Sequence, residues 1–162
     1  MLQGDLVTLR PATDEDVPTL GDIRATDEVS RWWGLDDTAE QLADPDHGIF
    51  AIEERGRVVG AIQWYSEQDP NFRHAGMDLY LDPAVHGRGL GTDAVRTLAR
   101  HLVRDQGFHR LIIDPAAANA AAVRAYAKVG FRPVGVMRQY WRDPDGVWQD
   151  GLLMDLLAAE LV

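Results

Sequence analysis

The stretch from Met77 to Asp114 constrains the fold of this chain more than any other. MDLYLDP has the alternation of a strand and is stopped by Pro83, and HGRGLG then sets glycines at 87, 89 and 91 ahead of a helical pattern. Val95, Leu98, Ala99, Leu102 and Val103 recur at helical spacing over residues 92–106, Gly107 ends the run, and HRLIID at 109–114 is strand-like again. A strand, a helix and a second strand in this order require a crossover, and hence one parallel strand pair.

The segments on either side read as antiparallel. LVTLR near the N-terminus is a short strand, and Thr13 with Asp16 three residues on, ahead of Val17, Leu20 and Ile23, is a helix start. DEVSRWWGLDDTAEQLADPDHG, broken by Gly34 and Pro45, reads as short helix plus loop. GIFAIEE and RVVGAIQWY are joined by Glu54-Arg55-Gly56-Arg57 in a hairpin, and VGVMRQYWR and VWQDGLLMDLL are joined by DPDG in another. Between crossover and last hairpin, Asn119 to Val129 forms a second helix closed by Gly130. The expected fold class is α+β, a mixed, mostly antiparallel sheet of six to seven strands flanked by about four helices. A length of 162 residues suits one domain over 1–162.

Composition narrows the chemistry. No cysteine is present, which removes a disulfide framework, a thiolate metal site and a cysteine nucleophile together. The histidines at 47, 74, 86, 101 and 109 never fall three or four apart, so no helical ligand pair forms and no metal is expected. The net charge is -10, with acidic residues crowding the first third and most basic ones lying beyond His86. An acidic chain is unsuited to nucleic acid, which needs a basic surface. No apolar run is long enough to cross a membrane and the N-terminus has no signal-like pattern, so a cytoplasmic protein, monomer or homodimer, is expected.

The glycine turn admits three readings as an anion site. A P-loop needs a lysine followed by Ser or Thr at the helix start, and the chain's one lysine is Lys128. A dinucleotide fingerprint is a closer fit, since Gly89-Leu90-Gly91-Thr92-Asp93-Ala94 matches G-x-G-x-x-A and Asp114 ends the next strand; residues Pro83 to Arg88, however, separate strand and first glycine. The third reading is a run of backbone N–H groups at 87–92 wrapping a pyrophosphate at the helix N-terminus, where orphan donors and the helix dipole attract anions.

From Met77 to Phe131 the chain resembles the GNAT acyl-CoA-dependent N-acetyltransferases. Gly89-Leu90-Gly91 supplies their glycine core, with His86 standing where the family has Gln or Arg. Asn119, Ala122 or Val123, Tyr126, Lys128, Gly130 and Phe131 supply the helix motif that follows. The resemblance implies the GNAT fold and acetyl-CoA as cosubstrate. It implies contacts from Tyr80 and Leu81 on the strand, from His86, Gly87, Arg88, Gly89, Leu90, Gly91 and Thr92 in the turn, and from Asn119, Tyr126 and Lys128 beyond.

Acetylating an amine poses two proton problems: the ammonium must lose a proton to attack, and the departing thiolate must gain one. With no cysteine, and serines only at 30 and 66, direct transfer is expected rather than an acyl-enzyme. Strand alternation sets Asp78 on one face with Tyr80 and Asp82, making it the candidate base or ammonium anchor. Tyr126 shares a helix face with Ala122 and Val123 and by periodicity is a packed aromatic; the resemblance makes it the general acid or thiol orienter. Asn119 is an N-cap candidate as well as a pantetheine contact. RWWG at 31–34, Gly76-Met77-Asp78, Ile113-Asp114-Pro115 and Pro144-Asp145-Gly146 are further similar to the aminoglycoside 6′-N-acetyltransferase branch. That likeness implies a small polycationic amine bound by Asp78, Asp114 and Asp145, with Trp32, Trp33 and Tyr65 against its rings. Another amine acceptor, such as a protein N-terminus or polyamine, and a non-catalytic acyl-CoA-binding module are the alternatives.

Overall fold

The computed structural model describes residues 1–34, 37–44 and 48–162. Eight strands form one sheet in the order β1-β2-β3-β4-β5-β6-β8-β7. They are β1 (Leu2–Gln3), β2 (Thr8–Pro11), β3 (Gly48–Glu54), β4 (Arg57–Glu67), β5 (His74–Leu81), β6 (Arg110–Ile113), β7 (Arg132–Arg142) and β8 (Trp148–Leu157). Among the described residues five α-helices accompany them: α1 (Val17–Arg24), α2 (Asp27–Trp33), α3 (Thr38–Ala43), α4 (Leu90–Arg104) and α5 (Ala120–Ala127). Among the described residues only β5 and β6 pair in parallel, as the crossover through α4 demands.

The extra strand relative to the sequence reading is β1, two residues that pair with Leu9 and Thr8 and are too short to show alternation. The extra helix is α3, whose polar TAEQLA carries no clear periodicity. Pro45, expected to break this acidic segment, lies outside the described residues, as does His47. β5 starts at His74 rather than Met77, because β4 is long enough to pair with it from Glu67 onward.

The larger core lies between the sheet and α4 with α5. Leu90, Ala94, Val95, Leu98, Ala99 and Leu102 of α4 are buried against Met77, Leu111, Met154 and Leu156. Each fully buried leucine contributes about 1.5–3 kcal/mol of apolar burial. A smaller cluster on the opposite face joins Leu20 and Ile23 of α1 and Val29 of α2 to Ala61 and Tyr80. Among the described residues no helix is long and apolar enough to cross a membrane.

Candidate active site

β5 and β6 pair only through Ala75–Leu111 and Gly76–Ile112, and then diverge. Asp82 N–H donates to the Val59 carbonyl at 2.7 Å, in the register that continues the β4–β5 ladder. Antiparallel alternation therefore turns the N–H groups of Asp78 and Tyr80 toward β4 and those of Leu79 and Leu81 toward the opening. Tyr80 and Leu81, the two strand residues expected to meet acetyl-CoA, both line this opening, and of the two it is Leu81 that presents its amide to it. The Tyr80 ring packs edge-on against Trp33 at 4.9 Å. Leu79 was missed by sequence reading, since the alternation is visible but not which edge has lost its partner.

The opening is a cavity of about 780 Å³ reaching from α2 across the ends of β5 and β6 to α4 and α5. At one end lies the glycine turn. Gly87 and Gly89 adopt φ +74° and +82°, in the left-handed region that glycine favours, and Gly89 caps α4. The first bond of α4 runs from Asp93 N–H to the Gly89 carbonyl at 3.0 Å, so the amides before it have no intrahelical acceptor. The helix begins at Leu90, not Thr92, because Gly89 already supplies the cap. The buried Asp93 carboxylate accepts from the N–H groups of Leu6 at 2.7 Å and Val7 at 3.0 Å, which ties this first turn to the N-terminal strands. His86, Gly87, Gly89, Leu90, Gly91 and Thr92 line the cavity, with Asn119, Tyr126 and Lys128 across from them. A row of free amides, a helix start and the Lys128 cation suit a pyrophosphate.

Two turn side chains have other partners. Arg88 forks onto Glu54 of the β3–β4 hairpin and is not among the cavity-lining residues. His86 Nε2 lies 3.0 Å from the Leu81 carbonyl, bracing turn against strand. Asn119 Oδ1 accepts from Ala122 N–H at 3.2 Å, capping α5, and Asn119 also lines the cavity.

At the other end, two carboxylates meet. Asp78 of β5 and Asp114, just beyond β6, both line this end of the cavity and act on each other's ionisation. Burial and the neighbouring Asp114 charge push the Asp78 carboxyl up to about 7, partly offset by the cross-strand Gln63 amide. Burial also raises Asp114, against the opposing effect of the Tyr140 hydroxyl that donates to it. Tyr126 is 8% exposed, its ring edge-on to Phe131, and burial holds its phenol above the ordinary range, so it remains a proton donor. Tyr126 thus packs as a core aromatic and also lines the cavity.

Trp32 and Trp33 both line the cavity: Trp33 faces inward to Tyr80 and Arg24, while Trp32 meets Trp141 of β7 at 6.1 Å. Tyr65, whose phenol burial raises, feels the charges of Asp78 and Asp114 but does not line the cavity. Asp145 is exposed in the β7–β8 turn, outside the lining. Tyr140 and Trp141 take the β7 side of the cavity instead, and sequence reading missed both because an irregularity in β7 aims them. Among the described residues no cluster of His, Asp or Glu could hold a metal ion.

The family profile described as Acetyltransferase (GNAT) domain matches residues 7–132. The chain belongs to the GNAT acetyltransferase family. This acetyltransferase is 31% identical, over 166 residues, to the aminoglycoside N(6′)-acetyltransferase type 1 of Klebsiella pneumoniae, covering 88% of this chain and 80% of that one. The solved structure of AAC(6′)-Ib in complex with ribostamycin and coenzyme A is 29% identical, with TM-score 0.78 and coverage of 96% of this acetyltransferase and 97% of that chain. Mycobacterium smegmatis RimJ in complex with CoA-disulfide shares the fold, with TM-score 0.83 at 24% identity over 96% of this chain and 83% of its own. Its catalytic class is acetyl transfer.

Proposed function

We propose that this acetyltransferase, acting as one domain, moves the acetyl group of acetyl-CoA directly to an amine of an aminoglycoside, the 6′-amine, and so confers resistance to the antibiotic. The observation that carries the reading is the Asp78–Asp114 pair facing the same cavity as the Tyr126 phenol and the glycine turn. Two partly buried carboxylates suit a polycationic acceptor, and the aromatic rim of Trp32, Trp33 and Trp141 suits sugar rings carrying ammonium groups. The 31% identity to the Klebsiella enzyme supports the same substrate class.

In this reading the amides of residues 87–92 and Lys128 bind the pyrophosphate, and the Leu79 and Leu81 N–H groups receive the charge that develops on the thioester oxygen. Asp78 takes a proton from the acceptor ammonium, Asp114 holds the cation in line, and Tyr126 protonates the leaving sulfur. The test is incubation with acetyl-CoA and kanamycin, with spermidine and a peptide in parallel. Mass and NMR analysis should find one acetyl on the aminoglycoside 6′-nitrogen; acetylation of spermidine or peptide alone would replace the substrate and leave the cosubstrate.

The glycine turn yields its own expectation. A side chain at Gly91 would start 3.3 Å from Leu81 Cδ1, beside the free amides. Gly91→Val should therefore weaken acetyl-CoA binding by about tenfold or more while the fold persists. Calorimetric titration of the folded variant checks this, and wild-type affinity would remove the cradle.

A further inference from the structure

Tyr140 reaches the carboxylate pair through a break in β7. Between the pairs Met137–Gly151 and Trp141–Gln149, residues 138–140 face the single β8 residue Asp150. Gln139 takes φ +49°, a backbone conformation that side chains other than glycine rarely adopt. Asp150 holds it there: Oδ1 accepts from Gln139 N–H at 2.9 Å, and the backbone carbonyl accepts from Trp141 Nε1 at 3.3 Å. Gly151 then lets the Tyr140 ring lie close, since a Cβ there would stand 2.6 Å from its Cδ1. The bulge thus delivers a half-exposed tyrosine with its hydroxyl donating to Asp114 Oδ2.

We propose that Tyr140 is a positioning residue that decides which of the two carboxylates holds their shared proton, keeping Asp114 anionic and leaving the proton on Asp78 while the acceptor site is empty. A phenol that donates to Asp114 favours its charged form, and two neighbouring carboxylates that repel each other's charge favour sharing one proton. The other groups facing the pair do not supply this bias: the cross-strand Gln63 amide favours the Asp78 anion and so opposes it, Tyr65 from β4 is a partly buried phenol and Tyr126 from α5 a buried one, and Glu28 and Arg31 of α2 line the outer cavity.

The consequence rests on the amine-acceptor reading. An arriving ammonium stabilises both anions, so the Asp78 proton leaves to solvent. Asp78 then takes one proton from the ammonium, whose nitrogen lone pair is freed to attack. The base is created by its substrate, and Asp78 does not activate water against the thioester beforehand.

Carboxyl-carbon NMR titration of the free protein, labelled at aspartate, tests the bias without turnover. In the wild type the step near neutral pH should be carried chiefly by Asp78. In Tyr140→Phe, which keeps the ring over Gly151, roughly half or more of that amplitude should pass to Asp114. With Asp114→Asn already present, adding Tyr140→Phe should leave the Asp78 midpoint unmoved. An unchanged division of amplitude, or an equal Asp78 shift with and without the Asp114 carboxylate, overturns the proposal. Because the titration contains no acceptor or acetyl-CoA, a wrong substrate would appear only in the kanamycin assay.

Discussion

Asp78→Asn should lower kcat/KM toward aminoglycosides by at least about 100-fold while leaving acetyl-CoA affinity nearly unchanged. The substitution keeps the shape and the cross-strand neighbour Gln63, but an amide cannot accept the ammonium proton. Steady-state kinetics on several aminoglycosides, with calorimetry for acetyl-CoA, check both halves. Since the Asp78 carboxyl sits at about 7, wild-type kcat/KM should fall as pH drops through that value, and the Asn variant should lack that limb. Asp114→Asn should chiefly raise KM, because its role is to hold the cation.

The same residue makes an independent statement about stability. Its folded pKa is raised above the unfolded carboxylate value, so between the two the native state binds more protons than the unfolded chain and stability falls as pH rises. Asp78→Asn should thus melt no lower than wild type at neutral pH, which separates lost chemistry from lost folding. Wild-type activity of a well-folded Asp78→Asn on every aminoglycoside tried would end the mechanism.

Tyr126→Phe should reduce kcat by about 10- to 1000-fold with only a modest change in acetyl-CoA affinity. The ring keeps its contact with Phe131 and its place in the buried core, so only the proton donor is lost. Burial and the two nearby carboxylates hold the hydroxyl protonated through the working range, which a donor to a departing thiolate requires. If chemistry is slowed in this way, single-turnover rates will fall with kcat. A wild-type kcat would return Tyr126 to packing alone.

What the sequence determined by itself is what depends on neighbours in the chain. The glycine turn was legible because the left-handed φ of Gly87 and Gly89, the helix start and the orphan amides are all local properties. The hairpins and the crossover were legible because their periods and turn residues lie within short windows, and Tyr126 because a helix fixes which residues share a face. Alternation also gave the face of Asp78. Tertiary structure alone decided its partner, since nothing local says that Asp114 follows a strand that diverges from β5 and turns its carboxylate back. It likewise tied Arg88 to Glu54, left Asp145 on the surface and brought in Tyr140. Those outcomes follow from strand register and from a bulge in which residues 138–140 answer to Asp150. Such pairings are settled by contacts between segments far apart in the chain, where one extra residue redirects every side chain after it.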